Sequence, residues 1–181
     1  MKTFSSTALA SAVLCAVPSG AAAQEVAGNG FVGVSAGYHN IVVDDDFGLD
    51  LNTDAGIVGV YAGYDVPAGR NLFFGVEGNF HYGFGALDLD YGVSGRAGFV
   101  SEDGTKFYAR GGYQWIDIDP EGLTRIDDPT GEIFDGVDTT AGDYLVGVGV
   151  DAPLGENTVR VNLDTISFDT VRATVGFSID F

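Results

Sequence analysis

The sequence predicts an all-β chain: an eight-stranded, antiparallel, up-and-down transmembrane β-barrel behind a cleaved N-terminal signal peptide. Three observations predict it. Period-two alternation of large apolar residues with small or polar ones runs through most of the chain after Gln24, where helical periodicity is absent. The alternating segments number eight, and most run nine to thirteen residues, about what a tilted strand needs to cross a bilayer. The two long interruptions are both odd-numbered connections, so with both termini on one side they open on the same face of the membrane.

Residues 1–23 read as an export signal. Lys2 supplies the positive start, Ala8 to Val17 is a short apolar run broken by Pro18, and Ala21-Ala22-Ala23 offers a small-residue cleavage site before Gln24. Cys15, the only cysteine, lies inside that segment, so residues 24–181 have neither a disulfide framework nor a cysteine metal site. At this length, 24–181 makes one barrel domain. No run of eighteen apolar residues exists to make a membrane helix.

The eight segments are Phe31–Ile41, Ala55–Val66, Leu72–Phe84, Asp88–Val100, Lys106–Asp117, Thr140–Ala152, Thr158–Ile166 and Thr170–Phe181. In the first, Val32, Val34, Ala36 and Tyr38 oppose Gly33, Ser35, Gly37 and His39. In the last, Val171, Ala173, Val175, Phe177, Ile179 and Phe181 oppose Arg172, Thr174, Gly176, Ser178 and Asp180. A β-sandwich would also alternate. Here, however, the small face is glycine-rich and carries charges of both signs, as a narrow, filled lumen requires. The large face also sorts its aromatics by height. Tyr64, Phe74, Phe99, Phe107, Phe177 and Phe181 gather toward one rim, expected to be periplasmic. Tyr38, Phe80, Tyr82, Tyr91, Tyr113, Trp115 and Tyr144 gather toward the other. These are two aromatic girdles with aliphatic residues between them.

The residues that carry these patterns resemble a known family. Gly75-Val76-Glu77-Gly78-Asn79, the run Phe107 to Tyr113 followed by Trp115, and Gly147-Val148-Gly149-Val150 resemble strands three, five and six of the OmpX/OmpA-like, opacity-type small outer-membrane β-barrels. Val161-Asn162-Leu163-Asp164 is less aromatic than the usual strand seven. Val175, Phe177, Ile179 and Phe181 resemble the C-terminal signal read by the barrel-insertion machinery. The resemblance implies a bacterial outer-membrane location. It implies outer-membrane lipid, lipopolysaccharide and the insertion machinery as partners, and a surface-antigen, adhesin or envelope-structural role.

Charge narrows the function further. The chain holds 8 Lys+Arg and 26 Asp+Glu, a formal net charge of −18, and removal of the signal leaves −19. A surface of that sign excludes nucleic acid as a partner. The inward parity places Glu77, Arg96, Arg110, Asp143, Arg160, Asp164 and Arg172 in the lumen, with Asp65, Asp90 and Asp180 nearer its ends. Unpaired charge there is too costly to persist, so the expectation is a paired structural network, with Glu77 touching at least one inward arginine. An eight-stranded barrel is just filled by its side chains, which favours this plug over a small porin-like channel.

The loops at 42–54 and 118–139 are acidic. Asp117, Asp119, Glu121 and Asp128 fall at the spacing of a calcium loop, but with Pro120 inside it and no flanking helices. The expectation is loose attraction of divalent cations, with no resident cofactor. No extracellular partner can be named from the loop residues. Catalysis is not expected. His39 and His81 are inward, Ser94 and Ser178 face away from lipid, and no serine–histidine pair stands on the outer face as in outer-membrane lipid-modifying enzymes.

Overall fold

The computed structural model describes residues 28–40, 54–85, 87–118 and 140–181. The signal segment, most of the two acidic loops and Ala86 lie outside these. Eight strands close into a barrel in which each pairs antiparallel with its sequence neighbours and β1 pairs with β8. They are β1 Asn29–Asn40, β2 Asp54–Ala68, β3 Leu72–Gly85, β4 Leu87–Val100, β5 Lys106–Ile118, β6 Thr140–Leu154, β7 Asn157–Ile166 and β8 Thr170–Asp180. The expected segments and these strands coincide to within a few residues at every end.

The pairing register fixes the geometry. Stepping from Leu72 through Phe99, Phe107, Val150, Val161, Val175, Ala36 and Val58, the path returns to β3 at Tyr82, ten residues farther along. Ten residues of about 3.3 Å against eight strand spacings of about 4.8 Å tilt the strands by about 40°. At that tilt the interior has room for side chains and little else.

At one end, which we call the turn end, β2–β3, β4–β5 and β6–β7 are joined by tight turns. Each places a glycine in the left-handed region: Gly69 (φ 82°), Gly104 (φ 86°) and Gly155 (φ 68°). In the middle turn Ser101 and Thr105 hydrogen-bond to Asp103, which holds that carboxyl below its ordinary pKa. The chain's last residue is clasped at the same end, where Gly30 and Phe181 exchange two backbone hydrogen bonds of 2.8 Å. The acidic connections 41–53 and 119–139 open at the opposite, loop end.

Alternation sorts the side chains as the strand period requires. Val34, Val60, Phe74, Val76, Val93, Val148, Leu163, Val175 and Ile179 are exposed on the outer wall, forming an apolar belt. Tyr64, Phe74, Phe99, Phe107, Phe177 and Phe181 ring its turn end, and Phe99 stacks on Phe107 at 5.2 Å. Around the loop end, Phe80, Tyr91, Trp115, Tyr113 and Tyr144 form a chain of ring contacts from 4.9 to 6.3 Å. Val175, Phe177, Ile179 and Phe181 all lie on this outer surface.

Candidate functional site: the charged lumen

Glycine on the inner face makes room for what fills the barrel. A Cβ on Gly75 would lie 2.2 Å from Asp65 Oδ1, and one on Gly147 would lie 2.0 Å from Asp164 Oδ1. Those vacant volumes let long arginines from β4, β5, β7 and β8 reach across to carboxylates on other strands.

The network is continuous. Arg96 of β4 donates two hydrogen bonds to Asp65, of 2.6 and 2.8 Å, and one to Asp151 of 3.1 Å; its Nη1 also lies 3.5 Å from Glu77. Arg160 of β7 grips Asp151 with Nε and Nη2, both at 2.6 Å, and donates Nη1 to Glu77. Arg110 donates to the other Glu77 oxygen at 2.7 Å and approaches Asp164 to 3.0 Å. Glu77 of β3 therefore holds arginines from three different strands.

Farther toward the loop end, Arg172 divides its guanidinium between Asp90 at 2.9 Å and Asp164 at 3.1 Å. Asp90 also accepts a bond from Gln114 and stands 3.4 Å from His39 Nδ1. His81 is tied to Ser35 at 2.8 Å and to Asn79 at 3.3 Å. With Lys106 on Asp65 at 2.7 Å, five cations face five carboxylates: Asp65, Glu77, Asp90, Asp151 and Asp164. Counted without the histidines, these formal charges balance.

Of the residues expected to meet here, the structure brings together Glu77, Arg96, Arg110, Arg160, Asp164 and Arg172, and it leaves Asp143 out. Asp143 is half-buried at the loop end, where it accepts the Tyr144 N–H at 2.6 Å and bonds Ser167. Buried Leu145, the next inward residue of β6, separates it from the ions below. Its place is taken by Asp151, together with Asp65 and Asp90. Inward parity marks Asp151 as well, since it continues Leu145, Gly147 and Gly149 along β6.

Two further layers carry no charge, and the sequence reading did not assign them. At the turn end Phe31, Tyr61, Phe73 and Tyr108 are buried inward. The Arg96 guanidinium lies 4.4 Å from the Phe31 ring and 4.6 Å from Tyr108. That of Arg160 lies 4.4 Å from Tyr61 and 4.7 Å from Phe31. These cation–π contacts offset part of the arginines' lost hydration. At the loop end Ala55, Ile57, Leu87, Ile116, Leu145 and Ile166 make an apolar lid. Leu87 reaches the lid because the register slips between Leu87 and Leu89. That bulge turns Leu87 to the opposite face from Leu89. The void lined by Ser35, Glu77, Asn79, His81, Arg110 and Arg172 has a volume of about 10 Å³, room for about one water.

Of the proposed calcium-loop residues, Asp117 is the last but one of β5, where it accepts a hydrogen bond from Thr140. Asp119, Glu121 and Asp128 lie outside the described residues.

No family model matches the chain, and no curated protein matches it. Solved structures do. The chain is similar to the attachment invasion locus protein Ail of Yersinia pestis, solved with the heparin analogue sucrose octasulfate. That match has 14% identity and a TM-score of 0.54, covering 85% of this chain and 99% of Ail. It is also similar to the N-terminal β-barrel domain of Pseudomonas aeruginosa OprF, at 12% identity and a TM-score of 0.51, covering 84% of this chain and 97% of that one. Neisserial surface protein A follows at 13% identity and a TM-score of 0.50, covering 83% and 95%. These likenesses show the fold: the closed eight-stranded barrel of small outer-membrane proteins.

Proposed function

We propose that this chain is a non-enzymatic outer-membrane surface protein. Its barrel anchors, and its two acidic loops meet whatever lies outside. The observation that carries this reading is the inversion of the barrel's faces: an apolar belt with aromatic girdles outside, and a neutralised ion network under an apolar lid inside. Only a hydrocarbon surround makes such an exterior stable. The turn end then faces the periplasm and the loop end faces outward, with lipid and lipopolysaccharide around the belt. The outer face of β8, from Val175 to Phe181, presents the residues for the insertion machinery. A void the size of one water and a lid of six apolar side chains leave no polar path through the described residues, which favours a plug over a pore.

What Ail binds does not transfer by charge. Among the described residues every basic side chain either lies in the lumen network or, as with Arg70, sits in a turn-end loop. On a chain of net charge −18, the acidic loops 42–54 and 118–139 repel sulfated polyanions and attract divalent cations. The test is single-channel recording of the refolded protein in planar bilayers. No stable conductance is expected at any holding voltage. Reproducible single-channel steps would replace this reading with that of a small porin.

A further inference from the structure

The turn-end hairpins satisfy their left-handed positions with glycine. The one loop-end hairpin fully described, between β7 and β8, does the opposite. Ser167 (φ 59°) and Phe168 (φ 64°) are both left-handed, and the Asp169 N–H donates to the Ile166 carbonyl at 3.3 Å. Two successive positive φ angles inside such a bond are the pattern of a type I′ turn, where asparagine and glycine are the usual occupants. For a bulky aromatic residue that conformation is strained.

The strained turn is held firmly. The Ser167 N–H donates to the Tyr144 carbonyl of β6 at 3.0 Å, and Thr170 Oγ1 donates to the Ile166 carbonyl at 3.2 Å. At its tip Phe168 is 76% exposed, more than any girdle residue of the loop end. Nothing described in the chain covers a ring whose backbone is fixed at a cost.

The register shows what surrounds it. Ile166 pairs with Leu145, so the turn begins beside Tyr144, which is 69% exposed in the girdle and pairs with Tyr113. Strands β5 and β6 run on past this level to Ile118 and Thr140. Val171, on the outer face of β8 just after the turn, is likewise exposed. Phe168 thus stands at the height of the loop-end girdle, below the last residues of β5 and β6.

We propose that Phe168 is a lipid anchor, its ring entering the boundary between headgroups and acyl chains of the outer leaflet beside Tyr144. Burial in that layer is the compensation that a left-handed phenylalanine at an exposed tip otherwise lacks. The proposal rests on the membrane-spanning reading above, and the experiment separates the two.

Trp115 is the chain's only tryptophan. In a Trp115→Phe background, Phe168→Trp and Val76→Trp report from the turn and from the middle of the belt. Each is refolded into phosphatidylcholine vesicles whose chains are brominated near the headgroup or near the methyl terminus. Phe168→Trp should show blue-shifted emission and roughly twofold stronger quenching by the shallow bromines than by aqueous iodide, as for an interfacial indole. Val76→Trp should be quenched by the deep ones. If Val76→Trp is quenched by lipid while Phe168→Trp answers only to iodide, the barrel spans but the anchor is refuted, and the exposed ring points to an extracellular protein partner. If neither is quenched by lipid, the membrane reading itself falls. Should the indole prevent folding, Phe168→Cys in residues 24–181, which hold no other cysteine, reads the same depth with a nitroxide. Accessibility to oxygen above that to an aqueous nickel chelate supports the anchor, and the reverse order overturns it.

Discussion

Toward the turn end of the lumen, Phe31, Tyr61 and Tyr108 wrap the guanidinium groups of Arg96 and Arg160. Toward the loop end the inward face is occupied by Ala55, Ile57, Leu87, Ile116, Leu145 and Ile166. Both halves exclude water, by opposite means. The turn half keeps its charges and satisfies each with a partner on another strand, so its stability depends on every partner being present. The loop half has no such bookkeeping at its mouth; it shields the Asp90–Arg172 pair with hydrocarbon. In the first half a single deletion strands charge, whereas in the second it leaves only a cavity.

That contrast ranks the expected effects. Glu77→Leu should be the most damaging, because Arg96, Arg110 and Arg160 all lose a carboxylate that is buried with them. Breaking a buried ionic cluster from one side costs about 3–5 kcal/mol. Urea unfolding in detergent micelles, followed by circular dichroism, measures it. A loss below about 1 kcal/mol, the value of an exposed pair, would show that water reaches the network. Leu145→Ala in the lid should cost about 2–3 kcal/mol as a cavity and still give no conductance, since the ions beneath remain paired. A stable current through that variant would move the barrel's seal from the network to the lid. Tyr108→Phe should cost least, about 1 kcal/mol, because the ring stays against Arg96 and only the hydroxyl is lost. That hydroxyl lies 2.7 Å from Asn162 Oδ1 and 3.0 Å from Asp151 Oδ1. A loss as large as that of Glu77→Leu would mean the hydroxyl holds Asp151 in place for both arginines.

Much of this was legible from period two alone. Strand number, strand ends, the outward girdles and the arginine-bearing face all follow from alternation, because a strand has only two faces to offer. Parity stops short where a residue's character and its direction disagree. Phe31, Tyr61, Phe73 and Tyr108 lie on the small face by parity, yet their size argues for lipid, and only the guanidiniums beside them explain their position. Leu87 breaks parity outright, since a bulge is invisible in an alternating pattern. Asp143 keeps the right parity at the wrong height, above the lid, while Asp151 on the same strand sits where the arginines reach. Phe168 carried no signal at all. Nothing in Ile-Ser-Phe-Asp-Thr announces a type I′ turn, a shape normally written with asparagine and glycine.

The clasp between Gly30 and Phe181 also bears on how the chain assembles. Seven of the eight ladders join consecutive strands and cost little loop entropy. The β1–β8 ladder, pairing Phe31 with Asp180, closes nearly the whole described chain into one ring. Loop closure over such a span is the slow event in a non-local topology. The Arg160–Glu77 and Arg172–Asp90 contacts span 83 and 82 residues and join opposite arcs of the sheet. Until the last strand seats against the first, those charges remain hydrated in an open, curved sheet. Dehydration of the lumen and closure of the ring are then one step, so an intermediate with seven strands in place would keep only pairs between nearby strands, such as Arg160–Asp151, and those hydrated.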